Sequence, residues 1–238
     1  RVDRPEEKDL RTFPTYASPE RLSMGNPNLK PQFTQSVELG YRQSWIGGYF
    51  YSSAYHRMST NILTKIITEV PMSNRLAEVN QNADKGQNTG VELVLDQELG
   101  SKLRLNANGN IYRNNIGAFT IVHTYPNNVT YVGKKQNIIT GNAKVNLTAK
   151  IWKDTELQLT GIYLAKDIIP QGKILARYSI DAGLTKKIQN GKGELFINAS
   201  DILTTLVLRQ EIEGTTFNLV SDDYYETQVV RVGYQYRF

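Results

Sequence analysis

The chain has 238 residues, of which 39% are hydrophobic, with a net charge of +5 and a mean hydropathy of -0.44. It contains no cysteine, which excludes a disulfide framework and a thiolate metal site. The basic residues are spread along the sequence rather than clustered, so no nucleic-acid partner is expected. No apolar run approaches the roughly 18 residues of a membrane-spanning helix. The length allows one large all-β domain or two ordinary domains.

Residues 1–10, RVDRPEEKDL, begin without Met and lack the charged, apolar and small-residue regions of a signal peptide. We therefore expect the chain to be a piece of a longer protein. Residues 1–32 are predicted to form an extracellular loop that leads into the first long strand, and residues 33–238 a meander of strands.

Polar and apolar residues alternate from residue 33 onward, which is the pattern of β-strands. In segment 33–45, Val37 and Leu39 lie on one face and Glu38 and Arg42 on the other. Segment 49–57 is ambiguous, because its apolar face is formed either by Tyr49, Tyr51 and Tyr55 or by Phe50 and Ala54. The remaining segments are 90–97, 102–112, 140–151, 156–166, 174–187, 193–200 and the terminal RVGYQYRF at 231–238. Together they predict an all-β chain of about nine antiparallel strands.

The polar face of these strands is too polar for a protein core. Lys144, Asn146 and Lys150 all lie on it, so it must contact water. The opposite face is less apolar than a sandwich interior usually is, and lipid would accept it. A soluble β-sandwich stays the alternative. The predicted lipid-facing residues are Leu103, Leu105, Val145, Leu147, Val232 and Tyr234, and the predicted lumen-facing residues are Arg104, Asn106, Lys144, Asn146 and Arg231.

The connections between the strands alternate in length. They are tight after Trp45 and at 98–101, 152–155 and 189–192, and long and polar at 60–86, 115–136, 167–173 and 202–222. Outer-membrane barrels have this asymmetry, with tight periplasmic turns and longer extracellular loops. The two tryptophans, Trp45 and Trp152, both stand beside tight turns, where an aromatic girdle is expected. Since an open sheet edge cannot sit in hydrocarbon, further strands are expected upstream.

Short motifs in the chain resemble one family. Residues 1–41, including GNPNLKP at 25–31, are similar to the C-terminal barrel portion of TonB-dependent outer-membrane receptors. The strand and loop phrases AYHRMSTNI, NTGVELVL and SDILTT also resemble this family. The tail residues Arg231, Gly233, Tyr236 and Phe238 fit the pattern of the β-signal that the barrel assembly machinery reads.

The resemblance implies a 22-stranded barrel plugged by an N-terminal domain and energised through TonB. This chain would form about nine C-terminal strands of that barrel, without the plug domain. The implied location is the outer membrane of a Gram-negative bacterium. The implied partners are outer-membrane lipid, the plug and remaining strands, the TonB complex, the assembly machinery and a surface lipoprotein.

No catalytic or metal-binding constellation is apparent. His56 and His123 are the only histidines, and neither has carboxylate neighbours at metal-ligand spacing. We therefore predict no enzyme activity, metal or cofactor. Binding is expected in the long loops, where Tyr125 and Tyr131 are available to stack on a ligand. Charged residues that could contact a plug or line a solute path are Glu38, Arg42, Glu92, Asp96, Lys144, Glu156, Arg177 and Asp181.

Two functions from different classes stay open. The first is a receptor that imports a scarce solute, which would be an iron chelate, a cobalamin or a glycan. The second is a barrel used for adhesion or as a structural partner, without active transport. A plug domain and a TonB box upstream would favour the first.

Overall fold

The computed structural model describes residues 1–70, 72–73, 75–123 and 128–238. Nearly all of its elements are β-strands, and the one α-helix in these ranges is four residues long. No helix among the described residues is long and apolar enough to cross a membrane. In chain order the elements are β1 (Val2–Asp3), α1 (Glu7–Leu10), β2 (Thr15–Ser18), β3 (Arg21–Met24), β4 (Gln32–Trp45), β5 (Gly48–Val70), β6 (Arg75–Leu99), β7 (Leu103–Ile116), β8 (Phe119–His123), β9 (Val129–Gly133), β10 (Gln136–Trp152), β11 (Thr155–Leu164), β12 (Asp167–Ile169), β13 (Gly172–Ile174), β14 (Arg177–Ile188), β15 (Gly193–Ser200), β16 (Leu208–Glu213), β17 (Asn218–Asp223) and β18 (Val229–Tyr236).

The long strands form one antiparallel meander. Its order is β1-β4-β5-β6-β7-β10-β11-β14-β15-β18, so that strands consecutive in the path are hydrogen-bonded neighbours. The tight turns at 46–47, 100–102, 153–154 and 189–192 all lie at one end of this sheet, as predicted. The all-β antiparallel fold is therefore confirmed, whereas the total number of strands in a closed barrel stays a prediction.

The strand register places apolar residues in rows on one face of the sheet. Leu39 pairs with Ala54, which pairs with Val91, which in turn pairs with Ile111. Leu105 pairs with Leu147 in the same way. Because Phe50 pairs with Leu95 on this face, the tyrosines of segment 49–57 lie on the polar face. The register thus resolves the ambiguity of that segment.

The apolar face is exposed along its length. Val145 is 43% exposed and Val232 is 74% exposed, and Leu159 and Ile180 are also exposed. A sandwich core would cover these side chains with a second sheet, whereas a lipid-facing surface leaves them accessible. The register and the exposure therefore favour the barrel over the sandwich.

The prediction of a long loop at 60–86 is wrong. β5 and β6 stay paired as far as Val70 and Arg75, and β5 alone has 23 residues. A barrel strand needs only about 9–11 residues to cross a membrane, so this pair projects beyond the wall. Thr and Asn recur in its sequence and obscure the apolar residues, which are buried by other parts of the chain, both earlier and later.

The three other long connections also contain strands that the sequence did not predict. β8 and β9 form a separate hairpin, and β12, β13, β16 and β17 form a separate four-stranded sheet. These strands pair with one another and not with the wall. The end of the wall opposite the tight turns therefore carries structure of its own, and we call it the loop end. Residues 1–31 also lie there, since Val2 pairs with Phe33 close to the loop end of β4. Below, upper means nearer to the loop end and lower means nearer to the tight turns.

Candidate binding region at the loop end

Two apolar clusters hold the loop end together. The first joins the β5–β6 extension to the β8–β9 hairpin and consists of Ile66, Ala83, Ile116, Phe119, Ile121 and Tyr131. The second joins the extension to β3 and consists of Leu22, Met24, Ala77 and Val79. In the second cluster β3 pairs with β6 in parallel, with Leu22 opposite Ala77 and Met24 opposite Val79. The connections are therefore packed against one another.

Of the two tyrosines predicted to bind ligand, the structure describes only Tyr131. Tyr125 lies outside the described residues. Tyr131 is 8% exposed, and its ring lies 5.9 Å from that of Phe119, centroid to centroid. Burial and the charge of Glu213 raise the pKa of the Tyr131 hydroxyl. The contacts of Tyr131 give it a packing role, and ligand binding by either tyrosine stays a prediction.

The first two residues of the GNPNLKP motif form backbone hydrogen bonds with residues earlier in the N-terminal segment. The Gly25 amide donates to the Arg11 carbonyl oxygen at 2.8 Å, and the Asn26 amide donates to that of Asp9 at 2.7 Å. A Cβ atom at position 25 would lie 2.5–2.6 Å from backbone atoms of Asp9 and Arg11, so only glycine fits. This close backbone contact thus explains why the first residue of the family-like motif is glycine.

Amide side chains fasten the same segment to the wall extension. The Asn82 side chain donates to the backbone oxygens of Lys30 at 3.0 Å and Asn61 at 2.9 Å. The Asn80 side chain donates to the Asp9 carboxylate at 3.1 Å. In the sequence these asparagines indicate a loop. Their hydrogen-bond partners cannot be recognised there, because they lie more than 20 residues away.

A buried carboxylate joins β3 to the wall extension. Glu78 is 6% exposed and forms ion pairs with Arg21 and with Lys65, the latter at 2.5 Å. Burial by itself raises the pKa of Glu78, but the hydrogen bond from Lys65 and the charge of Arg21 lower it by more. The net pKa therefore lies below its ordinary value of 4.5.

We expect the β3–β6 contact to weaken below about pH 4.5. A carboxyl whose pKa is lowered on folding stabilises the fold above its unfolded pKa, and this contribution is lost as the pH falls through the folded pKa. Glu78→Gln should lower the local opening free energy of residues 21–24 by about 1.5–3 kcal/mol, measured by hydrogen exchange at pH 7. The exposed Glu20→Gln is the control with the same charge change. Equal exchange in the two variants would contradict the prediction.

The β12–β13 hairpin lies against the polar face near the top of the wall. The Asp167 carboxylate accepts hydrogen bonds from the Tyr112 hydroxyl at 2.6 Å and from the Asn114 side chain at 2.8 Å. The Thr140 hydroxyl donates to the Lys166 carbonyl oxygen at 2.7 Å. These hydrogen bonds therefore attach the hairpin to the polar face close to the loop end.

The tip of this hairpin reaches β5 through one side chain. Gln171 is 3% exposed; its oxygen accepts from the Ile67 amide at 2.7 Å, and its nitrogen donates to the Ile67 carbonyl oxygen at 2.6 Å. The Gln171 side chain thus forms the two backbone hydrogen bonds with Ile67 that a neighbouring strand would otherwise form. The two residues are 104 positions apart, so nothing in the sequence signals the contact.

Replacing Gln171 should loosen the hairpin from β5. Gln171→Ala leaves the buried amide and carbonyl of Ile67 unpaired, and each unpaired group costs about 1–3 kcal/mol. Hydrogen exchange at the Ile67 amide should accelerate accordingly. Gln210→Ala, a change of the same size in β16, is the control. Unchanged exchange at Ile67 would count against the bridging role of Gln171.

The polar face carries a hydrogen-bonded network in its lower half. The Asp96 carboxylate accepts from Arg104 at 2.9 Å and from Asn106 at 3.0 Å. Asn146 donates to Asn106 at 3.4 Å and accepts from the Thr160 hydroxyl at 2.9 Å. The strand register places on this same face all the predicted lumen charges: Glu38, Arg42, Glu92, Asp96, Lys144, Glu156, Arg177 and Asp181.

Asp201, in the SDILTT phrase, organises the start of the last connection. Its carboxylate accepts from the Thr205 amide at 3.0 Å and from the Thr227 hydroxyl at 2.6 Å. Burial raises the pKa of this carboxyl, and these hydrogen bonds lower it by more, so its net pKa is below the ordinary value. The phrase therefore closes the connection between β15 and β18 at its base.

The predicted assembly signal lies on β18, which pairs with β15. Arg231 is opposite Asn198 on the polar face, and the ring of Phe196 lies over Gly233, where a Cβ atom would come within 2.3 Å of it. Phe238 is fully exposed and touches the ring of Tyr236 edge-on at 5.4 Å. The signal role of Arg231, Gly233, Tyr236 and Phe238 stays a prediction.

Among the described residues, no three side chains of His, Asp or Glu come close enough together to hold a metal ion. His56 lies on the apolar face and shares a hydrogen bond of 2.7 Å with Thr89. The side chain of His123 lies outside the described part. The functional geometry of the chain is therefore a wall with one polar and one apolar face and a packed loop end.

Such a wall, with tight turns at one end and built-up connections at the other, defines an outer-membrane β-barrel protein. A family model described as the outer membrane protein beta-barrel family matches residues 1–236. The chain belongs to this family, and its location is the outer membrane of a Gram-negative bacterium. None of the curated proteins compared with the chain matches it.

Several solved structures share the fold. The ferric yersiniabactin uptake receptor FyuA from Yersinia pestis matches 88% of the chain at 14% identity, with a TM-score of 0.57, over 31% of its own length. The siderophore receptor PirA from Acinetobacter baumannii matches 91% at 11% identity, with a TM-score of 0.52, over 33% of its length. A mutant of the ferric enterobactin receptor PfeA from Pseudomonas aeruginosa matches 91% at 13% identity, with a TM-score of 0.51, over 32% of its length.

The chain thus spans about a third of the length of these receptors. At such low identity the comparison establishes the fold. The predicted resemblance to TonB-dependent receptor barrels is confirmed at that level.

Proposed function

We propose that the chain is the C-terminal part of the barrel of a TonB-dependent outer-membrane receptor that imports a scarce solute. The observation that carries this proposal is the shared fold: about nine tenths of the chain follows the backbone of barrels described as siderophore and ferric-chelate receptors. The remaining strands and a plug domain would complete the barrel. The chain itself would act as wall and loop end, without enzyme activity.

Two features of the chain support a receptor over a passive barrel. The polar face is lined with paired acidic, basic and amide groups, which suits contact with a plug or a hydrated solute. The loop end is fastened by Glu78, Gln171 and Asp201 into a packed body. A packed body can present a binding surface of fixed shape, which loose loops cannot do without an ordering cost. We place residues 1–32 on the extracellular side with this body.

An iron chelate is the solute class to test first, because the three receptors that share the fold are described with ferric chelates or siderophores. A cobalamin and a glycan are the other two classes. The proposed partners are the plug, the TonB complex, the barrel assembly machinery, outer-membrane lipid and a surface lipoprotein.

The test is uptake by cells that lack or carry the full-length parent protein. Radiolabelled iron chelates, cobalamin and oligosaccharides are supplied separately, in strains with and without TonB. We expect the uptake of one class to require both the parent protein and TonB. If the parent is folded at the cell surface and no uptake depends on it, the adhesion or structural role replaces the proposal.

A further inference from the structure

A shallow apolar groove crosses the outer face of the wall. It has a volume of about 580 Å³, and its apolar lining includes Leu39, Ala54, Val91, Ile111 and Ile139. Ala54 stands between Leu39 and Val91 in the strand register, so its short side chain leaves a depression between two larger ones. All five residues are exposed. A barrel in a membrane must cover such a depression with hydrocarbon.

The groove ends near the outer rim of the membrane-spanning band. Val37, at its upper end, lies eight residues along β4 from Trp45, which stands beside a tight turn. Eight residues span about 27 Å along a strand, which is about 19–22 Å along the barrel axis at a tilt of 35–45°. Because the apolar band of such barrels is about 25 Å tall, the upper end of the groove lies at its outer boundary.

The outer-face row at this boundary carries one arginine, Arg113, and one histidine, His56. In the register, Val37 pairs with His56, His56 with Thr89, and Thr89 with Arg113. Lys85 lies on the same face of β6, four residues further up. In the described strands β4 to β7 and β10, no Asp or Glu lies on the outer face from this row upward. The nearby carboxylates, Glu38 and Glu92, lie on the polar face.

A row with four amide side chains and Met58 follows directly above the row of Arg113. Gln35 pairs with Met58, which pairs with Gln87; Gln87 pairs with Asn115, and Asn115 with Asn137. From the groove upward, the outer face therefore offers hydrocarbon contact, then the positive charge of Arg113, then hydrogen-bonding amides. Amides suit sugar hydroxyls, whereas a phospholipid would use only the first two layers.

We propose that this face binds a phosphorylated glycolipid of the outer leaflet, namely lipid A, with an acyl chain in the groove. Its phosphate contacts Arg113 beside His56, and its sugars contact the amide row. Arginine presents donors in a planar fork that matches phosphate oxygens. The site is separate from the solute path, since it lies on the opposite face of the wall.

The test is native mass spectrometry of the full-length parent protein, purified in detergent and titrated with diphosphorylated, hexa-acylated lipid A. Arg113→Gln should weaken binding about fivefold, as expected for about 1 kcal/mol per basic residue near an anionic surface. Ala54→Leu, which fills the groove without changing charge, should also weaken it. Lys153→Gln, the same charge change at the tight-turn end, should have no effect.

Dephosphorylated lipid A and phosphatidylglycerol are the comparison ligands, and both should bind more weakly than lipid A. Heat-modifiable migration on gels confirms that each variant is folded. The proposal fails if folded Arg113→Gln binds lipid A as well as Lys153→Gln does. It also fails if phosphatidylglycerol binds as tightly as lipid A, because the sugar contacts would then contribute nothing.

Discussion

Replacing Val145 with arginine is expected to destabilise the folded barrel by about 2–4 kcal/mol, the cost of a cation on the lipid face near the bilayer midplane. Val145 is 43% exposed on the apolar face and lies in the middle of β10, between the outer-face residues Ile139 and Ile151. Its neighbours across the sheet are Ala107 and Gly161, which offer arginine no polar partner. Leu147→Arg, one pair of residues lower, should act in the same direction.

The control must add the same cation to the polar face. Asn146 is unsuitable, because its hydrogen bonds to Asn106 and Thr160 make a change there more costly than the sequence suggests. Gln158 is exposed on the polar face, close to Glu156, and is a better position. Gln158→Arg should change stability by less than 1 kcal/mol, the usual range for surface substitutions.

The measurement is urea unfolding of the full-length parent protein in lipid vesicles, followed by heat-modifiable migration on gels. A loss of stability for Val145→Arg no larger than that for Gln158→Arg would contradict the assignment of the two faces. The same result would remove the basis of the lipid site, since the groove lies on the face that Val145 belongs to.

The wall of this protein could be predicted from its sequence because its determinants are local. Alternation with a period of two assigns each residue to a face, and a tight turn needs only a few residues of suitable type. The four turns and the faces of Leu105, Val145 and Asn146 follow from these rules alone. Charged residues such as Lys144 and Glu92 fall on the polar face for the same reason.

The loop end could not be predicted, because its structure depends on distant partners. Thr and Asn recur through residues 60–86, which also contain Pro71 and Gly86, and such residues are typical of a loop when nothing else is known. In the structure, Lys65 pairs with Glu78, and Ile66 belongs to the same buried cluster as Phe119 and Tyr131. These tertiary contacts bury side chains of the segment and stabilise its strands. Intrinsic β-propensity does not predict such contacts.

Aromatic residues in predicted loops illustrate the same limit. The sequence predicts that Tyr131 binds ligand because loops carry function and tyrosine suits stacking. In the structure its ring packs against Phe119, whereas Phe13 at the same end of the protein is 81% exposed; ligand binding by Tyr131 stays a prediction. Sequence reasoning had no means of telling the two apart, because burial at the loop end is decided by tertiary packing.

Removal of Phe238 is expected to reduce insertion of the parent barrel far more than its contacts explain. Phe238 is fully exposed, and the edge of the Tyr236 ring is its one aromatic contact among the described residues. Even full burial of a phenylalanine contributes only about 1.5–3 kcal/mol, and Phe238 is far from buried. A large effect would therefore have to come from recognition of β18 during assembly, together with Arg231, Gly233 and Tyr236.

The experiment expresses the full-length parent with and without Phe238, and measures the folded barrel by surface protease protection and heat-modifiable migration. Phe13→Ala removes another exposed phenylalanine, at the opposite end of the wall, and should leave the yield unchanged. If deletion of Phe238 also leaves the yield unchanged, then Phe238 is an ordinary interfacial aromatic and the signal assignment is wrong. If the deletion alone lowers the yield, the folded-state contacts are too small to account for it, which leaves recognition during assembly as the cause.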